Sequence, residues 1–221
     1  LHRYGLSEYN DVAAAINYIK SNSAQATPIF LHGLCAGAYH AANTLITLPP
    51  DDQIKGLIFD SGFTNPLNSM AIPGEYCKQK IIPGKCAWLY SEHKDKAKTR
   101  YLSIIMGALA AGFFRVLGFC IYPFLKPQTE QLDLFAKLKA MKRSFDYPIL
   151  FIHAESDQFA KVAPIKELAN QLETDPENCW WIPDAQKKED PRPEHALNQI
   201  KCKHEYLVRL RAFIDKQLAK C

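Results

Sequence analysis

A thiol held between two glycines is the first group in this 221-residue chain whose placement suggests chemistry. In Pro28-Ile29-Phe30-Leu31-His32-Gly33-Leu34-Cys35-Ala36-Gly37 an apolar, strand-like run ends in Gly-x-Cys-x-Gly and passes into a small-residue helix, Ala38–Leu45. Gly33 and Gly37 carry no Cβ, so the helix can pack close to the strand and the turn avoids a clash. Cys35 then stands where a helix begins, and the dipole and free N–H groups there favour a thiolate and a developing oxyanion. The N–H of Ala36 is the oxyanion donor that this placement predicts. Loss of one such donor typically costs about 2.7–4 kcal/mol of transition-state stabilisation. The chemistry implied is attack of sulfur on a carbonyl carbon. A buried, inert cysteine is the commoner fate of a free thiol, so the surrounding elements must decide.

Those elements form an alternating α/β pattern. Tyr147-Pro148-Ile149-Leu150-Phe151-Ile152-His153 is apolar and rich in strand formers, and it runs into Ala154-Glu155-Ser156-Asp157-Gln158-Phe159. A helix over Ala163–Leu172 follows, with Pro164 tolerated in its first turn. Asn178-Cys179-Trp180-Trp181-Ile182-Pro183 reads as a last strand, followed by a loop that holds His195. Glu205-Tyr206-Leu207-Val208-Arg209-Leu210-Arg211-Ala212-Phe213-Ile214 has the i, i+3/i+4 apolar spacing of a closing amphipathic helix.

Taken in order, these segments resemble the α/β-hydrolase superfamily, in particular its esterase, thioesterase and peptidase branch with a lid. In that family the strand–turn–helix around Cys35 is the nucleophile elbow, and nucleophile, acid and base follow in that chain order. The resemblance assigns the nucleophile to Cys35, the acid to Asp157 and the base to His195. Tyr206 lies eleven positions after His195, a spacing like that seen in the family. Asp11–Ile19 looks like the helix before the elbow, and Gly56–Phe63 like the next strand and its exit turn. His2-Arg3-Tyr4-Gly5-Leu6-Ser7 resembles the family's R-G-x-G-x-S loop, with Arg3 where its first Gly is expected. The expected fold is thus a mostly parallel sheet flanked by helices. Residues 1–63 and 147–221 form its core, and residues 64–146 a lid insertion. The resemblance begins midway through the usual sheet, so the preceding strands, and the loop that donates the second oxyanion N–H, are expected outside this chain. The strand at 29–33 would then expose an edge through which a dimer can form.

Alternatives stay open at several positions. Phe30-Leu31-His32-Gly33 also resembles the family's HG turn, which carries the other oxyanion N–H. Glu155 and Asp60 are rivals for the acid, each with a second reading as a turn or cap residue. The polar insert Gln186–Glu194 lengthens the loop before His195 and leaves His204 as a minor alternative base. His32 and His153 lie at strand ends and read as structural.

Composition excludes several classes. The chain is 48% hydrophobic and 23% charged with a net charge of +4, too little for a nucleic-acid surface. No pair of Cys or His residues at ligand spacing has a second pair to match, so no metal and no cofactor are expected. The cysteines number seven; Cys77 and Cys86 flank a short loop and would pair only in an oxidising compartment. With no signal peptide in view, free thiols and a cytoplasmic location are the expectation.

The segment 101–125 is long and apolar enough to span a membrane. Arg115 near its middle, however, costs about 2.5–3.5 kcal/mol there even on the gentlest scale. Gly107, Gly112, Gly118 and Pro123 also interrupt it. The favoured reading is a pair of short lid helices over an acyl pocket, ahead of an interfacial lid in peripheral contact with a membrane and of a true span.

Together these features predict acyl transfer on small-molecule acyl or lipid esters and thioesters. A Cys at a G-x-C-x-G elbow resembles dienelactone hydrolases, which act on small lactones, whereas the apolar lid points to lipid-like substrates. Amide cleavage ranks lower, because a thiolate needs a well-formed acid for the leaving group. Two other readings stand beside this one: an interaction protein that keeps the fold without efficient catalysis, and a serine hydrolase whose Ser is replaced by Cys35.

Overall fold

Side chains that alternate across four apolar runs build the sheet and divide the core between its two faces. The computed structural model describes residues 7–23, 27–66, 131–157, 159–183 and 195–220. Within them β1 (Ile29–Leu34), β2 (Ile54–Asp60), β3 (Ile149–Ala154) and β4 (Cys179–Ile182) pair in that order, each pair parallel. Strands of a parallel sheet are covered on both faces and therefore read as near-continuous apolar runs. That is the pattern seen at Ile149–Ala154, all six of whose residues are buried.

On one face Leu31, Leu57, Phe59, Ile149 and Phe151 share a core with four helices. These are α1 (Tyr9–Asn22), α2 (Ala36–Thr47), α3 (Leu134–Ala140) and α4 (Val162–Gln171). On the other face Ile58, Leu150, Ile152, Trp180 and Ile182 pack against Tyr206 and Phe213 of α6 (Lys203–Leu218). A single turn, α5 (Asn198–Lys201), precedes α6. Each fully buried Phe, Leu or Ile side chain contributes about 1.5–3 kcal/mol, so both helix layers are held chiefly by this burial. Gly56 shows how closely α6 sits, since a Cβ there would lie 2.9 Å from the Phe213 ring.

The helices expected around Cys35 and after β3 and β4 are present; the one after β3 keeps its expected length, one residue earlier, and the others run a few residues longer than expected. Helix α3 falls inside the stretch 64–146. Asp133 caps it by accepting hydrogen bonds from the N–H groups of Phe135 and Ala136 at 2.8 and 3.2 Å. Leu134 is buried in the core with β2, and the Tyr39 hydroxyl donates to the Leu132 carbonyl at 2.7 Å. The apolar run 101–125, Cys77, Cys86, the loop at residues 1–6 and the insert 186–194 lie outside the described residues. Among the described residues no helix is long and apolar enough to cross a membrane. Strand β1 has a neighbour on one side only among the described strands, and His32 and Leu34 are exposed along it.

Because every strand points the same way, all four end at one edge of the sheet. Leu34 pairs with Asp60, Asp60 with Ile152, and Ala154 with Ile182. Open α/β sheets hold their ligands beyond this carboxyl edge. Cys35, Asp157 and His195 all follow strand ends there.

Candidate active site

The turn after β1 is built by contact rather than by preference. A Cβ on Gly33 would lie 2.3 Å from the Ala38 Cα and 2.4 Å from the Gly37 carbonyl oxygen, so only glycine lets α2 start this close to the strand. Cys35 takes φ 56° and ψ −118°, a left-handed conformation costing a non-glycine residue about 1–3 kcal/mol. Two hydrogen bonds hold it there. The Cys35 N–H donates to the Asp60 carbonyl at 2.9 Å, and the Ala38 N–H donates to the Cys35 carbonyl at 3.1 Å. Ala36 opens α2, so its N–H is one of the four that the helix's own ladder leaves without an acceptor.

Asp157 is reached through an equally defined turn after β3. Its Oδ1 accepts from the N–H groups of Phe159 and Ala160 at 2.8 and 3.0 Å, an Asx-type anchor that fixes the carboxylate plane. This leaves Oδ2 for His195, whose Nδ1 lies 2.8 Å away. On the far side of the ring, Nε2 is 2.8 Å from the Cys35 Sγ. The carboxylate can only accept, so Nδ1–H donates to it. Nε2 then faces the sulfur as acceptor of the thiol proton or, once it holds that proton, as donor to the thiolate. The Phe159 ring lies against the imidazole with centroids 5.3 Å apart. Residues 35, 157 and 195 are thus joined in one hydrogen-bonded line.

Burial disfavours a charged His195, but its hydrogen bonds to Asp157 and Cys35, with their charges, outweigh that effect and push its pKa up to about 10. An imidazolium beside a sulfur is the environment that favours a thiolate.

The other acid candidates are placed elsewhere. Glu155 is half exposed and ion-paired with Lys166 on α4 at 2.7 Å. Asp60 is fully buried, and its oxygens are taken by three neutral donors. Oδ1 accepts from the Ser61 hydroxyl and the Asn198 amide, both at 2.8 Å, and Oδ2 accepts from the Tyr206 hydroxyl at 2.9 Å. Since that hydroxyl donates to Asp60, the His32 Nε2–H donates to the Tyr206 oxygen, also at 2.9 Å. Burial and then the Asp60 charge raise the Tyr206 pKa far above its ordinary value. His204 lies exposed in the first turn of α6.

Backbone strain concentrates at this edge. Of the four non-glycine residues with positive φ among the described residues, Cys35, Ser61 and Ala196 flank or belong to the site. Sequence reasoning missed Asn198, which ties the segment after His195 to Asp60. An asparagine opening a one-turn helix carries no signal that reveals its partner. No group of three His, Cys, Asp or Glu residues suited to a metal occurs among the described residues.

Helices on both faces of a parallel sheet, with a tight strand–turn–helix after β1, form an α/β-hydrolase fold. Solved structures bear this out. An esterase of Pyrococcus furiosus matches with a TM-score of 0.56 at 17% identity, over 95% of this chain and 61% of the esterase. The acylaminoacyl peptidase of Pyrococcus horikoshii matches with a TM-score of 0.52 at 15% identity, over 96% of this chain and 27% of the peptidase. A thermophilic esterase matches with a TM-score of 0.51 at 14% identity, over 98% of this chain and 75% of the esterase. The chain therefore spans less than two thirds of the length of the P. furiosus esterase. No protein-family model and no curated protein sequence matches the chain.

Proposed function

We propose that the chain carries the catalytic groups of a hydrolase that cleaves acyl esters or thioesters through a covalent acyl-cysteine. The observation that carries this reading is the line from Cys35 Sγ through His195 to Asp157, with both contacts at 2.8 Å. In the first half-reaction the Cys35 sulfur, its proton already held on His195 Nε2, attacks the carbonyl carbon. The Ala36 N–H faces the oxyanion of the tetrahedral intermediate. Collapse breaks the bond to the leaving alcohol or thiol, which takes the proton from Nε2 and leaves a thioester on Cys35. In the second half, His195 removes a proton from water, hydroxide adds to the thioester, and the acid departs as the sulfur is regenerated. Throughout, Asp157 holds the ring by Nδ1 and stabilises its charged form.

Ester bonds rank above amide bonds because a thiolate needs a well-formed acid to expel an amine; the solved structures that share the fold include esterases and a peptidase alike. The apolar segment 101–125 supports a lipid-like acyl group and peripheral contact with a membrane. The test is hydrolysis of p-nitrophenyl acyl esters of increasing chain length, with intact-protein mass recorded after rapid acid quench. The reading predicts turnover and an acyl adduct on Cys35, both absent from Cys35→Ala. Equal turnover by wild type and Cys35→Ala contradicts it.

A further inference from the structure

His153 lies at the end of β3, its side chain wholly excluded from solvent, and takes no direct part in the line from sulfur to carboxylate. Its Nε2 is 2.7 Å from the Ala160 carbonyl oxygen. A carbonyl only accepts, so Nε2 carries the proton and donates. That bond spans the turn holding Asp157, and the N–H of the same Ala160 donates to Asp157 Oδ1 at 3.0 Å. One imidazole N–H thus fastens the residue that fastens the acid.

The other ring nitrogen decides the charge. His153 Nδ1 is buried and has no partner among the described residues. A proton there would create a buried cation whose second N–H finds no acceptor. Burial accordingly lowers the His153 pKa, ahead of the opposing effects of the Ala160 carbonyl, Asp157 and Asp60, and His195 lowers it further. The charge state matters because Nε2 is only 3.6 Å from Asp157 Oδ2, the oxygen that receives His195. At that distance a neutral N–H makes no hydrogen bond, but an imidazolium would compete with His195 for the carboxylate.

We propose that His153 is a positioning residue. Held as the neutral Nε2–H tautomer, it locks the 155–160 turn so that Asp157 Oδ1 stays on the backbone and Oδ2 stays on His195. A side chain that merely fills space at the end of β3 needs no such donor. The role rests on the proposed function, because it acts through Asp157 and His195 on Cys35.

The experiment compares His153→Gln with His153→Asn, both polar and uncharged. The Gln amide reaches the place of Nε2, whereas the Asn amide stops near Nδ1 and leaves the Ala160 carbonyl without its donor. Iodoacetamide alkylation of Cys35, followed by peptide mass spectrometry from pH 6 to 9, reads the state of the Cys35–His195 pair without any substrate. His195→Ala runs alongside, and circular dichroism confirms that each variant is folded. In His153→Asn the pH profile of alkylation should move toward that of His195→Ala, the rate at pH 6.5 falling several-fold and rising with pH instead of staying level. His153→Gln should restore most of the wild-type rate and profile. If His153→Asn keeps the wild-type profile while His195→Ala loses it, the role of His153 is overturned and the proposed function stands. Equal loss in Asn and Gln also overturns it, since donor position would then not matter. Wild-type alkylation in His195→Ala overturns both readings. Should His153→Asn not fold, the profile of His153→Gln decides, and one that matches His195→Ala counts against the proposal.

Discussion

Asp60 closes β2 and Asp157 follows the end of the neighbouring β3; both are buried carboxylates, yet among the described residues only Asp157 of the two is hydrogen-bonded to an imidazole. Among the described residues every side-chain donor to the Asp60 carboxylate is neutral: a serine hydroxyl, an asparagine amide and a tyrosine hydroxyl. None of these changes protonation near neutral pH, so Asp60 serves as a tie. It joins β2 to the segment after His195 through Asn198 and to α6 through Tyr206, while its backbone carbonyl receives the Cys35 N–H. Asp157 divides its two oxygens instead, giving one to backbone N–H groups and the other to a ring that titrates. What separates Asp157 from Asp60 is therefore the kind of donor each receives; burial alone does not distinguish them.

The contrast can be broken by exchange. Asp157→Asn keeps the shape but presents an amide to His195, which disturbs the tautomer that the base role requires. On the pattern of serine triads, ester turnover should fall by about a thousand- to ten-thousand-fold while the protein stays folded. Retention of more than a tenth of the activity would show that Asp157 is not the acid. Asp60→Asn should do the opposite. Its amide leaves at least one buried donor without an acceptor, at about 1–3 kcal/mol. For a chain of this size that amounts to about 2–4 °C of Tm per kcal/mol, whereas turnover by the folded fraction should change less than tenfold. Thermal unfolding and steady-state kinetics on the two variants separate the roles, and a collapse of turnover at unchanged Tm in Asp60→Asn would erase the distinction.

Smaller changes sharpen it. Tyr206→Phe removes one donor from Asp60 and the acceptor for His32, and should lower stability by about 1 kcal/mol, read as a Tm shift of a few degrees. Glu155→Gln breaks only the half-exposed pair with Lys166, where such pairs contribute about 0–1 kcal/mol. Neither Tm nor turnover should move measurably, and a large kinetic loss would reopen Glu155 as the acid.

Much of the fold is legible in the sequence. Ile149–Ala154 announced itself because a strand covered on both faces can afford no polar residue except at its end. Gly33 did so because a helix starting 2.3 Å from a hypothetical Cβ leaves glycine no substitute, whereas a Cβ on Gly37 would meet open space, so close packing does not require the second glycine. Chain order points to Asp157 and His195, which the structure joins to Cys35 in one hydrogen-bonded line. The roles of Asn198 and His153 were not legible, because each depends on a partner brought close only by folding. Asn198 meets Asp60 across 138 positions of sequence, and no local pattern encodes such a contact. The strand-end position of His153 implies a structural role. What that position could not show is which carbonyl its Nε2–H would find.

The central claim is that His195 activates Cys35, and the pH dependence of Cys35 alkylation tests it most directly. With the His195 pKa raised from 6.5 to about 10, the folded protein holds the imidazolium throughout the interval between those values and loses it as pH rises through the upper one. Iodoacetamide should therefore label Cys35 at a nearly constant rate from pH 6.5 to 9, and far faster at pH 6.5 than it labels Cys202. In His195→Ala that rate should fall at least tenfold at pH 6.5 and then climb steeply with pH, as an unassisted thiol does. Labelling of Cys35 that follows the same rising profile with and without His195, no faster than Cys202, would contradict the account.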